Sequence, residues 1–374
     1  MSGLVETVFA VLSDFHFGND LHEAPEVQLL NIPITYKDTT EKITRYFAAQ
    51  CRGHEISCVK RLPRYLKTLL EELKDQGYQG KTFDLFVLLG DQSTLANEQS
   101  YRFLCEYLSQ ESYQTTDGYM TYRCSGLEIA PSQLLAIPGN HDKLLRKDLN
   151  LYHNEFTHWL NLPERLQPQR SSLSVRRFWG REFVFISIEP SIYCNEDLTL
   201  DGDTRKHLAR GAVSKLLAED VRTKLALLKQ NRKLSADVRL EGSFSDAMKI
   251  MLVHYAVDLN QFDSGWAALV LPHECEDLGA LVTALKEEFQ LNLVLHGHLH
   301  QPLVYNQGGV QVISATTATR VDKNGKTGFF LLKVFDSGEV RTEHHIWNGA
   351  SYALDPDATL SRPVGSIRRY GLAA

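Results

Sequence analysis

Apolar residues follow two rhythms along this chain: short unbroken runs, and stripes spaced three and four apart. The runs Thr7 to Ser13, Phe83 to Leu89, Leu134 to Ile137, Phe183 to Ile188, Lys249 to Val253 and Leu291 to Leu295 are dense in β-branched and other large apolar residues. Such runs predict strands buried on both faces. The stripes Leu62, Tyr65, Leu66, Leu69, Leu70, Leu73 and Val213, Leu216, Leu217, Val221, Leu225, Leu228 predict amphipathic helices, the first stopped at Gly77. A third, Leu278, Leu281, Val282, Leu285, Phe289, has Glu274, Glu276 and Asp277 at its N-terminus, where carboxylates suit the helix dipole. Residues 17–60 read as irregular, broken by Pro25 and Pro33, with a short helix expected over Asp38 to Gln50. After residue 300 the pattern is strands alone: Val310 to Ser314, Gly328 to Phe335 and Glu339 to His345. Strands alternating with helices and then strands alone imply a mixed α/β sandwich.

The polar residues that interrupt this pattern are not scattered. Asp14 and His16 follow the first run, Gly90-Asp91 the second and Gly139-Asn140-His141-Asp142 the third; His254 follows the fifth, and Gly297-His298-Leu299-His300 the sixth. Carboxyl ends of strands in α/β folds share one rim, where ligands bind. The set is rich in imidazole, holds few carboxylates and has no thiolate. Those donors suit Mn, Fe, Zn or related ions better than calcium. One Asp can bridge two such cations at about 3.5 to 4 Å, the arrangement that supports in-line phosphoryl hydrolysis.

Composition narrows the picture further. The chain has 374 residues, 40 Lys+Arg against 46 Asp+Glu, a formal charge of -6, and 43% hydrophobic residues. These values belong to a folded protein with a large core, and the mild acidity argues against broad nonspecific binding of nucleic acid. Cys51, Cys58, Cys105, Cys124, Cys194 and Cys275 show no zinc-finger spacing and are expected as reduced core residues. The opening Met1 to Glu6 lacks signal-peptide form, and no apolar run approaches a membrane span. A cytoplasmic protein with no membrane partner is therefore expected. Oligomeric state has no signal in the sequence.

Asp-x-His, Gly-Asp, Gly-Asn-His-Asp, a lone His after a strand and Gly-His-x-His, in that order, resemble the calcineurin-like metallophosphoesterase family. The resemblance runs from Asp14 to His300 and through the later strands to about residue 345. It implies a four-layer α/β/β/α sandwich and a hydrolase of phosphoester bonds using two divalent metal ions and a metal-bound hydroxide. By the same resemblance Asp14, His16, Asp91 and His300 would hold one ion. Asp91, Asn140, His254 and His298 would hold the other, with Asp91 as bridge. His141 would act on the leaving-group oxygen and Asp142 would orient His141. A narrower likeness, Gly-His-Leu-His-Gln followed by Gly308-Gly309-Val310, points to the cyclic-nucleotide-phosphodiesterase-like branch, in which a hairpin follows the last ligands. The implied substrate is a small or nucleotide-type phosphodiester. A nuclease and a catalytically silent scaffold on the same fold are the competing readings.

The sequence also departs from the family pattern. Thr94 stands where an Asp or Asn is common, and Tyr255-Ala256-Val257-Asp258 replaces a His-Pro continuation. The long gaps before Asp91 and before His254 imply insertions, at about 17–60 and 190–246, that cap the rim and set substrate choice. One domain is expected over 1–347, with 348–374 as a surface tail. Arg146-Lys147 is weighed as a phosphate contact against ordinary surface charge. Arg176-Arg177 and Arg368-Arg369 are read as surface charge, Asp201 and Asp203 as helix-capping residues, and His296 as packing beside the site.

Overall fold

The computed structural model describes residues 3–17, 56–93, 98–116, 121–143, 166, 168–190, 211–257, 275, 277–319 and 326–370. In chain order the strands are β1 (Val5–Leu12), β2 (Leu85–Leu89), β3 (Ser112–Thr116), β4 (Thr121–Ser125), β5 (Leu134–Ile137), β6 (Arg170–Phe178), β7 (Arg181–Glu189) and β8 (Met248–Val253). They continue with β9 (Leu293–His296), β10 (Leu303–Gln307), β11 (Val310–Ser314), β12 (Gly328–Phe335), β13 (Glu339–Trp347), β14 (Tyr352–Leu354) and β15 (Pro363–Ser366). The helices are α1 (Ile56–Asp75), α2 (Glu98–Ser109), α3 (Lys215–Asn231) and α4 (Leu278–Phe289).

Two mixed sheets face each other. The first runs β14-β13-β12-β1-β2-β5, with β15 also on β13; the second runs β10-β11-β9-β8-β7-β6, and β3 and β4 pair separately. β1 shows why its run is apolar throughout. Phe9 and Val11 point into the core between the sheets, against Phe183, Phe185 and Ile250. Val8, Ala10 and Leu12 point outward, beneath Leu62, Leu66 and Leu69 of α1 and Tyr101 and Leu104 of α2. A strand covered on both faces loses the alternation of a half-exposed one. On the far side Leu217, Val221, Leu225 and Leu228 of α3 and Leu281, Val282 and Leu285 of α4 cover the second sheet. The result is the four-layer α/β/β/α sandwich. Each such leucine is worth roughly 2 to 5 kcal/mol on truncation to alanine.

The sequence pattern and the structure differ in instructive places. α1 begins ahead of the leucine stripe and carries Pro63 inside it. Proline has no N–H to donate to the carbonyl four residues back, that of Val59, and the buried Tyr107 hydroxyl from α2 donates to it instead at 3.2 Å. α2, the β3–β4 hairpin and β6 have no counterpart among the predicted elements. β6 alternates Leu173 and Val175, buried, with less covered neighbours, and its two arginines conceal the period. Arg177 pairs with Glu182 at 2.8 Å, and Arg369 pairs with Glu6. Glu6 is also bound by the buried Arg181 at 2.5 Å, which ties β7 to β1. The segment expected as a surface tail adds β14 and β15 to the sheet, and buries Leu360, Val364 and Ile367 in the inter-sheet core. Within the stretch expected to cap the rim at 190–246, α3 packs on the second sheet instead. The stretch 191–210, like the helix expected over Asp38 to Gln50, lies outside the described residues.

His344 of β13 is fully buried, tilted against the Phe330 ring at 4.6 Å, with Nδ1 2.8 Å from Asp355 Oδ2. Burial outweighs the attraction of Asp355 and lowers its pKa to about 4. The unfolded chain therefore binds a proton here that the folded one resists. Stability contributed by the neutral imidazole is complete above pH ~6.5 and is lost as pH falls toward 4. Urea unfolding at pH 7, 6 and 5 should show a decline of up to about 1.4 kcal/mol per pH unit from this group, and His344→Gln should flatten that slope.

Candidate metal centre

The loops after β1, β2 and β9 take an uncommon backbone form. Asp14 (φ 53°), His16 (φ 49°), Asp91 (φ 51°), His298 (φ 69°) and His300 (φ 55°) all lie in the left-handed region without being glycine. Each such residue costs on the order of 1 to 3 kcal/mol and persists only where its surroundings over-determine it. Here the loops brace one another. Asp14 N–H donates to the Gly90 carbonyl at 3.1 Å, His16 N–H to the Asp91 carbonyl at 2.9 Å, and Gly297 N–H to the His254 carbonyl at 3.1 Å. The turns curl each loop back across the strand ends, so that its side chains face those of the neighbouring loops.

The glycines of the motifs are explained by crowding. A Cβ on Gly90 would stand 2.3 Å from His254 Nδ1, one on Gly139 2.1 Å from Asp91 Oδ1, and one on Gly297 2.0 Å from Ser13 Oγ and 2.8 Å from Asp14 Oδ2. Each precedes a candidate ligand or its loop, and each lets a second ligand-bearing loop come into contact.

All nine residues singled out in the sequence meet at this rim. Asp91 lies at the centre: its Oδ2 is 3.8 Å from His16 Nε2 and 3.3 Å from His254 Nε2, and its Oδ1 accepts the His141 backbone N–H at 2.8 Å. Asp14 Oδ1 is 3.1 Å from His300 Nε2, and Asp14 Oδ2 accepts the His298 backbone N–H at 3.2 Å. His254 Nε2 is 2.9 Å from Asn140 Oδ1 and 3.1 Å from His298 Nδ1. Three donor sets converge with their ligand atoms within 4.8 Å of one another: Asp14, His16 and His300; His16, Asp91 and His141; Asp91, His254 and His298. The His141 ring stands edge-on to His16 at 4.5 Å.

The donor chemistry fits a cation. Leu89 presents a carbonyl, an acceptor only, 2.7 Å from His254 Nδ1, so that nitrogen carries the hydrogen and Nε2 keeps its lone pair. The lone pair then faces two acceptor oxygens, Asp91 Oδ2 and Asn140 Oδ1. Electron-rich atoms collected in this way need a positive charge among them, a proton or a metal ion. Burial disfavours the charged form of His254, yet Asp91, Asp14 and the Leu89 carbonyl outweigh it and push its pKa up to about 9, so that Nε2 takes up a proton when no cation is there to use its lone pair. Burial likewise opposes ionisation of Asp91, and the surrounding His254, His141 and His16 overcome it and hold its pKa well below the usual value. Asp14 and Asp91 are almost wholly buried, and among the described residues no Lys or Arg forms an ion pair with either.

Asp142 has a task that its expected role did not include. Its carboxylate accepts N–H bonds from Gly139 at 2.9 Å, Ser93 at 3.0 Å and Gln92 at 3.2 Å, and the Tyr101 hydroxyl at 3.2 Å. It thereby ties the loop after β5 to the loop after β2, which fixes Asn140 and His141 relative to Asp91. Burial and then the Asp91 charge raise its pKa to about 7, against the pull of those backbone donors. No motif in the sequence singles out Tyr101 or Gln92. Tyr101 sits on the unpredicted α2, and the only hint for Gln92 was its place directly after Asp91. His296 points away from the ligands: Nδ1 is 2.9 Å from the Gly297 carbonyl and Nε2 is 3.3 Å from the Tyr305 hydroxyl. Tyr255 packs edge-on to His254 and tilted against His298, each at 5.4 Å. Thr94, Arg146, Lys147, Asp201 and Asp203 lie outside the described residues.

The profile of the family described as calcineurin-like phosphoesterases matches residues 7–302. The chain belongs to that family. It is a metallophosphoesterase, a metal-dependent hydrolase of phosphoester bonds, and the loops described above carry its motifs. No curated protein matches it. Among solved structures it is similar to GAP50 of Plasmodium, the anchor in the inner membrane complex, at 11% identity and TM-score 0.46, over 98% of this chain and 90% of that one. It is also similar to a putative 5'-nucleotidase from Staphylococcus aureus, at 9% identity and TM-score 0.40, over 99% of this chain and 56% of that one. The phosphopantetheinyl hydrolase of Mycobacterium tuberculosis aligns at 11% identity and TM-score 0.37, over 84% and 91%. Among the described residues no helix is long and apolar enough to cross a membrane.

Gly297→Ala places a methyl group where Ser13 and Asp14 already stand. The variant should fold, by far-ultraviolet circular dichroism, but retain markedly less metal after dialysis, measured by elemental analysis.

Proposed function

We propose that this metallophosphoesterase is a phosphodiesterase with a dinuclear centre, acting on a small or nucleotide-type substrate in the cytoplasm. One divalent transition-metal ion (Mn, Fe or Zn) would be held by Asp14, His16, Asp91 and His300. A second would be held by Asp91, Asn140, His254 and His298, with Asn140 using its amide oxygen. The observation that carries this reading is the position of Asp91, whose Oδ2 lies 3.8 Å from His16 Nε2 and 3.3 Å from His254 Nε2. A carboxylate shared between two sets of imidazoles suits a bridging ligand.

When bound, the ions would supply Lewis acidity toward a phosphoryl oxygen and would lower the pKa of a water. The rest of the chemistry falls to side chains. Leu89 holds His254 in the tautomer that offers Nε2. Asp142 holds the Asn140–His141 turn against the Asp91 loop. His141, tied by its backbone N–H to Asp91 Oδ1, would bring an imidazole N–H to the leaving oxygen, which needs a proton as the phosphorus–oxygen bond breaks.

His141→Asn should lower kcat by about 10²- to 10⁴-fold while metal content stays at the wild-type level. Asp91→Asn should lose both activity and metal. Activity should vanish with chelators and return with Mn, Zn or Fe, in assays on a panel of phosphomonoesters, linear and cyclic diesters, DNA and RNA. Turnover confined to monoesters, or to nucleic acid with salt-sensitive binding, would refute the assignment to small diesters.

A further inference from the structure

The stretch Ser314-Ala315-Thr316-Thr317-Ala318-Thr319 leaves the end of β11 in the second sheet and runs beneath the rim of the first. It is buried throughout. At its start it holds the loop that carries His298 and His300: Ser314 Oγ donates to the Gln301 carbonyl at 2.8 Å, and Ala315 N–H to the His296 carbonyl at 2.7 Å. At its end it holds the loop that carries Asp14 and His16. Ala318 N–H donates to the Ser13 carbonyl at 2.9 Å, Thr317 Oγ1 to the Asp14 carbonyl at 2.8 Å, and Thr319 Oγ1 to the Phe15 carbonyl at 2.9 Å. One strap thus spans the two loops that supply Asp14, His16 and His300, which come from different sheets.

The threonines act where the backbone is most constrained. Asp14 and His16 are both left-handed, and the carbonyls that Thr317 and Thr319 engage belong to Asp14 and to Phe15 between them. The direction of a carbonyl sets ψ of its own residue and the orientation of the next peptide plane. Without those donors the loop can relax toward ordinary φ values, which would swing the Asp14 carboxylate and the His16 ring apart. The other donor set meets this loop through the His298 N–H on Asp14 Oδ2 and the His16 N–H on the Asp91 carbonyl, and it has further supports of its own: the Leu89 carbonyl on His254, the Asp142 carboxylate on the Gly139 N–H beside Asn140, and the bond from Gly297 to the His254 carbonyl.

We propose that Thr317 and Thr319 are positioning residues that set the geometry of the Asp14–His16–His300 cation site, and that they bear much less on the Asp91–His254–His298 site. The inference rests on the two-ion reading above. Outer hydrogen-bond partners of metal ligands characteristically change affinity by about 10- to 100-fold. Loss of these two hydroxyls should weaken one ion by that factor and the other by much less.

The test uses the full chain, stripped of metal and titrated with Mn²⁺ by calorimetry, with bound metal counted by elemental analysis. The wild type should show two classes of site. The double variant Thr317→Val, Thr319→Val keeps side-chain volume and removes both donors; one class should weaken about 10- to 100-fold. The double variant Thr317→Ser, Thr319→Ser keeps the donors and should restore it. Combined with His300→Ala, which removes a candidate ligand of the affected site, the valine pair should have little further effect on the ion that remains. Thr342→Val, which removes a buried hydroxyl bonded to the Leu360 carbonyl far from the rim, should alter neither class. If the double valine variant fails to fold, the two single valine variants decide by the same criterion. A wild type that binds fewer than two ions would remove the two-ion reading and this proposal with it. A wild type that binds two, with valine variants that match it or weaken both sites equally, would overturn this proposal alone.

Discussion

Two carboxylates, Asp14 and Asp91, are buried where the strands of two sheets end, with imidazoles as their charge-balancing neighbours. Isolated ionised carboxylates cost far too much in such surroundings to persist. Positive charge must enter the cluster, and the geometry determines what form it takes. Leu89 directs the His254 lone pair inward, and the remaining donors come from side chains that offer oxygen or nitrogen lone pairs. The same buried carboxylates lie in the residue groups that could hold a metal ion.

The two sheets matter because neither carries a complete set. β1, β2 and β5 deliver Asp14, His16, Asp91 and Asn140, while β8 and β9 deliver His254, His298 and His300. The aromatic and aliphatic core between the sheets, with Phe9 set at 4.9 Å edge-on to Phe183, fixes their separation. The Glu6–Arg181 pair joins them at the opposite ends of β1 and β7. The spacing of the candidate donors is therefore inherited from sheet packing, and close-packed interiors resist gradual deformation. Small errors at the rim are corrected locally, by the backbone bonds between loops and by the glycines that let them approach.

Much of this arrangement was legible in the primary structure, and the legible part has a common character. Strands buried on both faces announce themselves as unbroken apolar runs. The candidate ligands stand out because Asp, Asn and His interrupt those runs just where the strands end. The misses have an equally physical origin. β6 hides its two-residue period behind Arg176 and Arg177, one of which serves an ion pair with Glu182. α2 begins with polar residues, and its apolar stripe is carried partly by Tyr101 and Tyr107, whose hydroxyls serve specific acceptors. The carboxylate of Asp142 illustrates a deeper limit: residue type and position suggested a partner in His141, but only folded geometry reveals backbone donors gathered from two loops.

The Tyr107 hydroxyl that serves the Val59 carbonyl has an evolutionary corollary. Proline at 63 and a hydroxyl at 107 form a linked pair, separated in sequence and joined by one hydrogen bond. A lineage that replaced Tyr107 with phenylalanine would leave an orphan acceptor inside helix α1 unless Pro63 gave way to a residue with its own amide hydrogen. The two positions should drift together among homologues, as a signature of packing between neighbouring helices and independent of the chemistry at the rim.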